Sequence, residues 1–350
     1  MNKSTKCQIL LCGTQYGQSY LPAIFESNDL ELAAILANGS DRSLKISEQC
    51  GVALFAEAQH INEPIDLACV AIGGNTGASI AATLLKKGIP VLLEHPVSTE
   101  NIHLVLAAAE QNRTFCHINS HFSEIQPVAH FIALCHKLTT KSTPSIVNIS
   151  CNSRTLFSTL DIVMRCFGEC TLGDVQSTSF NVSDSHLNCT LSLNKIPCTL
   201  VYQKWRSKND NSKDSPLGHQ ITITYPEGVL CLNGTFGPCL WFPLLAGDVP
   251  QDIPIYSDVN NSNPFTLEDM YHWRSVANQK AMHELNETHQ HRKPIHFYQK
   301  KSYLSHLCQT WSHLYSQLGT VNAEPTIQRI NKEYWTCNSI LSNQLRKNNN

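Results

Sequence analysis

The chain has 350 residues, which is enough for two domains that each bury a hydrophobic core. Its composition, with 42% hydrophobic and 15% charged residues and a formal net charge of −2, gives no pull toward nucleic acid or a membrane surface. No apolar run reaches the roughly 18–20 residues of a membrane span, and the apolar stretch at residues 7–12 is too short for a signal peptide. We therefore expect a cytoplasmic protein whose partners are small molecules or another protein.

Short apolar runs alternate with helical periodicity in the first third of the chain. Strands are predicted over residues 7–12, 30–37, 65–72, 89–93 and 114–118, and helices over 17–26, 40–50, 76–87 and 99–111. Continuous apolar strands that alternate with helices are typical of a doubly wound parallel sheet, so we predict an α/β Rossmann domain. Ligands bind at the carboxyl edge of such a sheet, which makes the residues directly after each strand the informative ones.

The pattern changes near residue 125, where a helix over residues 125–138 precedes a series of strand-like runs. These runs are residues 145–151, 175–182, 187–193, 199–205, 220–225 and 229–232, and helices follow over 266–287 and 301–318. Hairpin signals such as Pro226-Glu227-Gly228 separate the runs, which indicates a mostly antiparallel sheet, and residues 206–218 are polar like a loop. We predict a Rossmann domain over 1–124, a C-terminal α+β domain over 125–325 and a tail over 326–350.

The 15 cysteines and 16 histidines raise the question of a metal or disulfide site. The cysteines are scattered, and the closest pair, Cys166 and Cys170, does not have the two-residue separation of a Cys-x-x-Cys motif. Zinc sites usually show paired close spacing, and cysteine in a reducing compartment behaves as a small buried hydrophobe. We therefore predict no metal.

The first predicted strand ends in the turn Cys12-Gly13-Thr14-Gln15-Tyr16-Gly17. A turn of this kind brings backbone N–H groups and a helix N-terminus to a pyrophosphate. Gly17 fits the third glycine of the G-x-G-x-x-G pattern, but Cys12 and Thr14 occupy the first two, so an ordinary strand–helix turn is the alternative. The predicted cofactor contacts in this turn are Gly13, Thr14, Gln15, Tyr16 and Gly17.

The second predicted strand leads into Ala37-Asn38-Gly39-Ser40-Asp41-Arg42-Ser43. An acid at this place would hold a ribose hydroxyl of NAD. Ser40, Arg42 and Ser43 suit a 2′-phosphate instead, with Arg42 as the charge partner. This favours NADPH as the cofactor; the alternative is a capped helix start with a solvated arginine.

Two further strand ends carry candidate residues. Glu94-His95-Pro96-Val97 follows the strand at 89–93, on the edge expected to face the nicotinamide, and we predict Glu94 and His95 as cofactor contacts. His95 can also donate a proton near neutral pH, because the unperturbed pKa of histidine is about 6.5; a hydrogen-bonded histidine without a catalytic role is the alternative. Gly73, after the strand at 65–72, is expected to line the nicotinamide pocket or to form a plain turn.

Glu94-His95-Pro96 resembles the Glu-Lys-Pro motif of the glucose–fructose oxidoreductase, inositol dehydrogenase and MocA family, with histidine in place of lysine. Within that family the chain is most similar, by its motifs, to the thiazolinyl imine reductases of yersiniabactin- and pyochelin-type siderophore biosynthesis. The similarity extends from near Thr5 to near Thr320. Its segments are residues 12–21, 39–43, 88–97, 118–122, 153–161 and 237–241.

This resemblance implies reduction of a thiazoline C=N bond to a thiazolidine, with hydride from NADPH. The implied substrate is a siderophore intermediate tethered to a carrier domain of a nonribosomal peptide synthetase, and the implied assembly is a homodimer. The implied proton donors are His95 and the residue at Phe122, which has no proton to donate although some relatives carry tyrosine there. Either His95 acts alone, or His121 or water substitutes for the missing hydroxyl.

The wider family also carries an Asp-x-x-x-His pair on a helix, whereas here Arg165 takes the place of the histidine after Asp161. Oxidation of a sugar hydroxyl needs such a base, so its loss fits imine reduction. An NADP-dependent sugar or cyclitol dehydrogenase of the same fold is the first alternative. A non-catalytic NADP-binding regulator is the second.

The predicted substrate contacts are Asn119, Phe122, Arg154 and Trp241. Asn119 follows the strand at 114–118, where it would orient a ligand. Trp241 could stack on a flat aromatic end of the substrate or belong to the core of the second sheet. Arg154 is a candidate contact for a phosphopantetheine or a phenolate, with a solvated surface arginine as the alternative.

Overall fold

The computed structural model describes residues 6–168, 176–179, 186–207, 218–245, 254–259 and 266–323. The predicted strand over 175–182 and the predicted loop over 206–218 lie partly outside these ranges, and the predicted tail over 326–350 lies wholly outside them. Within the described ranges, no helix combines the length and the apolar character that crossing a bilayer requires.

The first sheet consists of six parallel strands. They are β1 (Cys7–Cys12), β2 (Leu30–Leu36), β3 (Ala53–Phe55), β4 (Leu67–Val70), β5 (Val91–Glu94) and β6 (Cys116–Asn119). Helices α1 (Leu21–Phe25), α2 (Asp41–Cys50), α3 (Gly74–Lys86) and α4 (Thr99–Gln111) connect them. The strand order β3-β2-β1-β4-β5-β6 reverses between β1 and β4, the place where a doubly wound sheet binds its ligand. The predicted Rossmann fold is confirmed.

Two details of this domain differ from the prediction. The three-residue strand β3, Ala53-Leu54-Phe55, was not predicted, because three residues are too few to show a strand pattern. The first helix begins as a 3-10 turn over Gly17–Tyr20 and continues as α1. This tighter turn directly follows the glycine-containing segment at the end of β1.

The second sheet has eight strands, in the order β15-β14-β13-β12-β7-β10-β9-β8. The strands are β7 (Ile146–Asn152), β8 (Gln176–Ser179), β9 (His186–Leu193), β10 (Ile196–Gln203), β12 (Gln220–Tyr225), β13 (Gly228–Asn233), β14 (Cys239–Pro243) and β15 (Ser257–Asp258). All neighbours pair antiparallel except β7 with β10. The short strands β11 (Trp205–Ser207) and β16 (Val321–Ala323) form a separate parallel pair. The predicted, mostly antiparallel second sheet is confirmed.

The second half also contributes the helices α5 (Gln126–Thr139), α6 (Leu156–Phe167), α7 (Leu267–His291) and α8 (Lys301–Leu318). Helix α6 was not predicted from the residue pattern, although the family resemblance implies a helix at Asp161. Every residue from Leu156 to Cys166 is buried, including polar ones such as Asp161, so polarity does not mark an exposed face there. One apolar core continues from the first sheet through α5, α6 and α8 to the second sheet.

Helix α7 returns from the second half of the chain to the first domain. Ser275 donates a hydrogen bond to Glu26 (2.6 Å), and Gln279 donates to the carbonyl oxygen of Ala23 (2.9 Å). Asn278 of the same helix accepts a hydrogen bond from Asn119 at the end of β6 (2.9 Å), which places this part of α7 beside the carboxyl edge of the first sheet. A ligand bound at that edge therefore meets side chains from both halves of the chain.

Candidate active site

His95 follows β5 and is held by two oxygen atoms. Its Nδ1 lies 2.6 Å from the carbonyl oxygen of Asn119 and 3.1 Å from Oε1 of Glu94. A carbonyl oxygen can only accept, so Nδ1 carries a hydrogen and Nε2 is the nitrogen left for a ligand. Because its side chain is only 6% exposed, the orientation of His95 is fixed by its neighbours rather than by solvent.

Glu94, the partner of His95, is itself anchored. The hydroxyl of Tyr20 donates a hydrogen bond to Oε2 of Glu94, and Nδ2 of Asn119 lies 2.6 Å from that hydroxyl and 3.4 Å from Oε2. Nδ2 of Asn119 also donates to Oδ1 of Asn278 on α7 (2.9 Å). Asn119 is buried and does not line the cavity described below. Asn119 thus bonds to Glu94 and His95, and its predicted contact with a ligand stays a prediction.

The pKa of His95 is raised above its ordinary value. Burial by itself lowers it, but the hydrogen bond and negative charge of Glu94, the carbonyl of Asn119 and the charge of Asp161 together outweigh burial. The raised pKa keeps a larger fraction of His95 protonated near neutral pH than an ordinary histidine would have. A protonated imidazole whose Nδ1–H is already bonded has one proton to give, at Nε2.

A cavity of about 400 Å³ lies at the junction of the two halves, a size typical of small-molecule sites. Its first-domain side consists of Tyr16, Ala71, Gly73, Glu94, His95 and Pro96. Its other side consists of Phe122, Asn152, Ser153, Arg154, Thr155, Arg274, Trp311, Tyr315 and Thr320. His95 therefore lies where a group bound along the sheet edge meets a group bound from the second half.

The turn after β1 fits a bound dinucleotide. Gly13 has a φ of +86°, and a Cβ there would lie 2.7 Å from Cγ1 of Ile72, so both conformation and space require glycine. Tyr16 reaches the cavity, while Gln15 is exposed and Thr14 is buried within the turn. At Gly17 a Cβ would press on Leu11 at 3.3 Å, so this glycine allows the helix to start close to the sheet.

Gly73 lies at the opposite side of the same edge, as the residue before α3. An added Cβ at Gly73 would meet nothing within 4 Å, and Gly73 lines the cavity. Gly77, one turn further on, was not among the predicted site residues. A Cβ there would lie 1.7 Å from the carbonyl oxygen of Ile72. Gly77 thus allows α3 to pack directly on the end of the neighbouring strand. The spacing of four residues between Gly73 and Gly77 was the sequence signal that could have indicated this close packing.

The three residues predicted at a 2′-phosphate have different roles in the structure. Ser40 caps α2: its Oγ accepts from the backbone N–H of Ser43, and the hydroxyl of Ser43 donates to the carbonyl oxygen of Ser40 (2.8 Å). Ser43 is fully buried. Ser43 therefore belongs to the helix cap, and its predicted contact with phosphate stays a prediction. Arg42, in the first turn of α2, is exposed and remains the candidate partner of the phosphate.

His121 and Phe122 follow Ser120 at the end of β6. His121 is buried, and neither of its ring nitrogens has a hydrogen-bond partner within the described residues. Burial, followed by the positive charges of His95, Arg274 and His219, lowers the pKa of His121 far below its ordinary value, so the ring is neutral. His121 does not line the cavity, whereas Phe122 does. This placement counts against His121 as the proton donor.

Trp241 lies in β14, away from the cavity lining. A Cβ added at Gly228 would come within 2.9 Å of the Trp241 ring, so this tryptophan covers a glycine of the neighbouring strand. This placement agrees with the core alternative, and the predicted substrate contact stays a prediction. The aromatic groups that do line the cavity are Trp311 and Tyr315 of α8, whose rings stack at 4.9 Å. Their four-residue spacing on a predicted helix was the available signal.

Arg154 lines the cavity, as a substrate contact would. The carboxamide of Asn152 accepts hydrogen bonds from the backbone N–H groups of Arg154 (2.8 Å) and Thr155 (3.1 Å), which fixes the turn between β7 and α6. Arg274 of α7 also lines the cavity. Sequence reasoning missed Arg274, because nothing in its own segment distinguishes it from a solvated helix residue.

Asp161 and Arg165 form a buried ionic cluster. Nε of Arg165 lies 2.9 Å from Oδ2 of Asp161, and Arg165 also pairs with Glu124. Asp161 further accepts hydrogen bonds from Ser123 (2.5 Å) and Tyr303 (2.8 Å). Both oxygens of the Asp161 carboxylate therefore have partners. Arg165, one helical turn further on, is permanently charged and cannot act as a base.

One group of side chains has metal-ligand atoms close together: Glu94, His95 and His121 offer atoms within 4.8 Å of one another. Two of these three already bond to protein. Nδ1 of His95 bonds to the carbonyl oxygen of Asn119, and Glu94 accepts from Tyr20. Glu94 and His95 are therefore each held by a bond to the protein.

Two family models match different parts of the chain. Residues 7–120 match the model of an oxidoreductase family with an NAD-binding Rossmann fold, GFO_IDH_MocA. Residues 142–242 match the C-terminal model of the Irp3-like thiazolinyl imine reductases. No curated protein sequence matches the chain.

Solved structures share the fold over most of their length. A dehydrogenase from Chromobacterium violaceum has 14% identity and a TM-score of 0.68, with 89% of this chain and 95% of that chain covered. The WlbA dehydrogenase from Bordetella pertussis, in complex with NADH and UDP-GlcNAcA, has 12% identity and a TM-score of 0.68 (90% and 96% covered). KijD10, a 3-ketoreductase from Actinomadura kijaniata in complex with NADP, has 12% identity and a TM-score of 0.65 (91% and 99% covered). These likenesses show that the chain shares the fold of these proteins. The match of residues 7–120 to the family model supports an oxidoreductase with an NAD(P)-binding fold.

Proposed function

We propose that the protein is an NADPH-dependent thiazolinyl imine reductase, which reduces the C=N bond of a thiazoline to give a thiazolidine. The observation that carries the proposal is the arrangement of His95: a buried imidazole with a raised pKa, fixed at Nδ1 and lining the cavity. The match of residues 142–242 to the Irp3-like model supports this choice of substrate.

The cofactor and His95 have separate roles in the proposed reaction. NADPH supplies the hydride to the carbon of the C=N bond when it is bound. His95 gives the proton from Nε2 to the ring nitrogen, so that one hydride and one proton convert C=N to CH–NH. After this transfer His95 is neutral and keeps its Nδ1–H bonded to the carbonyl of Asn119. Water that enters after product release returns the proton to Nε2.

The network behind His95 keeps the donor in place during this step. Glu94 stabilises the imidazolium, Tyr20 and Asn119 hold the Glu94 carboxylate, and Asn278 ties the network to α7. Phe122, which has no hydroxyl, lies with its ring 5.8 Å from that of His95 and supplies an apolar wall. A single acid suffices, because hydride addition makes the nitrogen basic.

The ionic cluster at Asp161 counts against oxidation of a sugar hydroxyl. That reaction needs a group that takes up the hydroxyl proton. Arg165 cannot do so, and both oxygens of Asp161 accept hydrogen bonds or pair with a cation. Reduction of a C=N bond needs no such base.

We further propose NADPH rather than NADH, on the strength of Arg42 at the start of α2. We also propose that the substrate is a siderophore intermediate tethered to a carrier domain of a nonribosomal peptide synthetase, that the enzyme works in the cytoplasm, and that it forms a homodimer. These proposals follow from the resemblance to the imine reductases. A cavity at the junction of two domains, rather than deep within one, suits a substrate that arrives on a carrier.

The proposed activity is tested with NADPH and a thioester mimic of a 2-(hydroxyphenyl)thiazolinyl substrate, followed by the near-ultraviolet absorbance of the cofactor. We expect NADPH oxidation together with a thiazolidine product. His95→Ala should lower the rate about 100-fold or more and should weaken NADPH binding far less. The matched control is His103→Ala, which changes an exposed histidine on α4. If NADPH stays unoxidised and a sugar panel is oxidised with NADP instead, the dehydrogenase alternative is correct.

A further inference from the structure

We propose that Arg274 of α7 binds the diphosphate of the dinucleotide cofactor from the second half of the chain. The inference rests on the proposed function only for its ligand, an NAD(P)-type dinucleotide, and on no step of the imine reduction. It adds a cofactor-binding residue that lies outside the Rossmann domain. Arg274 lines the cavity of about 400 Å³ that the two halves share.

Arg274 lies beside the part of the sheet edge that holds a diphosphate. The strand order reverses between β1 and β4, and the turns after these two strands meet a dinucleotide in a doubly wound sheet. Tyr16 after β1 and Gly73 after β4 line the same cavity as Arg274. Burial and the charge of Glu94 raise the pKa of Tyr16, and the positive charge of Arg274 lowers it, which places the guanidinium close to this turn.

The guanidinium of Arg274 offers a donor that needs an acceptor. Its Nε is buried and has no hydrogen-bond partner within the described residues. Because arginine is permanently charged, a buried N–H of this group without an acceptor is costly unless a ligand supplies one. Glu94, an acid that lines the cavity, already accepts from Tyr20 and pairs with His95. An anionic oxygen of a bound ligand is therefore the acceptor that fits.

The turn after β1 supplies less positive field than the start of a long helix would. Its helix begins as a 3-10 turn over the four residues Gly17–Tyr20 and continues for only the five residues Leu21–Phe25. The macrodipole that favours an anion at a helix N-terminus is the sum of aligned peptide groups, so a short helix gives a weak one. Thr14 also occupies a place where the dinucleotide pattern has glycine. A cation from another element compensates for both.

Hydrogen bonds hold α7 against this same short helix. Nδ2 of Asn278 donates to the carbonyl oxygen of Ser19 (3.1 Å). Gln279 donates to that of Ala23 (2.9 Å). Asn278 lies one helical turn after Arg274, on the same face of α7. The backbone of α7 is therefore already in place, and only the Arg274 side chain has to order around a diphosphate, which keeps the entropic cost of binding low.

The 2′-phosphate of NADP is a second source of anionic oxygen. Arg42, at the start of α2, is its proposed partner, so we expect the two arginines to bind different phosphates. NAD⁺ carries the diphosphate without the 2′-phosphate, and adenosine 2′-monophosphate carries the 2′-phosphate without the diphosphate. These probes separate the two groups, and titrations with them contain no substrate.

The experiment is calorimetric titration of the full chain with NADP⁺, NAD⁺ and adenosine 2′-monophosphate. Arg274→Gln should weaken both dinucleotides by a similar factor, about 10- to 100-fold, because it removes a charge-assisted hydrogen bond. It should leave the affinity for adenosine 2′-monophosphate unchanged. Arg274→Lys keeps the charge without the guanidinium fork and should weaken the dinucleotides less. The matched control is Arg292→Gln, directly after α7, where the guanidinium donates to the carbonyl oxygen of Arg113 (2.9 Å) away from the cavity, and it should change none of the three affinities.

The outcomes are distinct. Unchanged dinucleotide affinity in Arg274→Gln overturns the inference, as does the absence of dinucleotide binding to the unmodified protein. Weakening of NADP⁺ alone would place Arg274 at the 2′-phosphate, and equal weakening of all three probes would indicate a general loss of structure; both results contradict the inference. If Arg274→Gln does not fold, Arg274→Lys decides, because unchanged dinucleotide affinity in that variant overturns the inference too. A protein that binds dinucleotides through Arg274 and reduces no thiazoline contradicts the proposed function alone.

Discussion

Replacing Glu94 with glutamine tests whether a buried carboxylate keeps His95 protonated. Oε1 of Glu94 lies 3.1 Å from Nδ1 of His95, and the two side chains are 9% and 6% exposed. At an effective dielectric constant of about 20, unit charges at this distance attract by about 5 kcal/mol, an upper bound because burial of the imidazolium opposes it. A hydrogen bond to a charged group contributes about 1.5–3 kcal/mol net, or about 10- to 100-fold in the population of protonated His95.

The assay is the rate of NADPH oxidation as a function of pH with the thiazoline substrate. In the unmodified protein the rate falls as pH rises through the raised pKa of His95, because the donor is lost. In Glu94→Gln burial lowers that pKa with less opposition, so the fall moves to lower pH and the rate at neutral pH drops about 10- to 100-fold.

Glu110→Gln, which breaks the exposed pair with Lys301, is the control and should not move the pH profile. Superimposable profiles for Glu94→Gln and the unmodified protein would refute the role of the carboxylate.

Three further predictions concern the cofactor edge and the ionic cluster. Gly77→Ala places a Cβ 1.7 Å from the carbonyl oxygen of Ile72, and we expect it to lower the free energy of unfolding in urea by about 3 kcal/mol or more. Gly73→Ala adds a Cβ in open space and should lower it by less than about 1 kcal/mol, so equal losses would contradict the packing argument. Arg42→Ala should weaken NADPH about tenfold or more and leave NADH unchanged, and equal weakening would exclude the 2′-phosphate contact. Arg165→Ala leaves the buried carboxylate of Asp161 without its cation, whereas Glu124 keeps its pair with Lys280. The substitution should lower the free energy of unfolding by about 3–5 kcal/mol, and a loss under about 1 kcal/mol would show that the cluster contributes little.

The architecture could be predicted from the sequence because its strands are continuous apolar runs with informative ends. β1 is almost completely buried. Gly13 follows it directly and forms a turn with a positive φ, a conformation that favours glycine. Helix α6 could not be predicted, because its polar residues are buried through partners elsewhere. Asp161, for example, bonds to Tyr303, 142 positions away.

The first-domain half of the site was predictable, because the sheet edge collects the residues that follow its strands. Tyr16, Gly73 and His95 all line the cavity, as expected from their places after β1, β4 and β5. The half of the site from the second part of the chain could not be predicted. Arg274 and Trp311 come from α7 and α8, and the position of these helices beside the first domain depends on tertiary packing. A local pattern does not encode such a return.

The roles of several predicted residues depended on partners that the sequence does not reveal. Asn119 follows a strand and lies at the edge as predicted, but its carboxamide is used by Tyr20 and Asn278. Ser43 has the residue type of a phosphate ligand, yet its hydroxyl is used in the cap of α2. Residue type and position thus identified the region, while the hydrogen-bond partners decided which side chains face a ligand.

The central claim is that hydride goes to the carbon of a thiazoline C=N bond and that His95 supplies the proton. The most direct measurement uses NADPH deuterated at the transferred position of C4, with mass spectrometry of the product from the thioester substrate. The account predicts a thiazolidine with deuterium on the former C=N carbon, formed rapidly by the unmodified protein and at least about 100-fold more slowly by His95→Ala. Oxidation of the deuterated cofactor without deuterium in the thiazolidine, or equal rates for the two proteins, would contradict it.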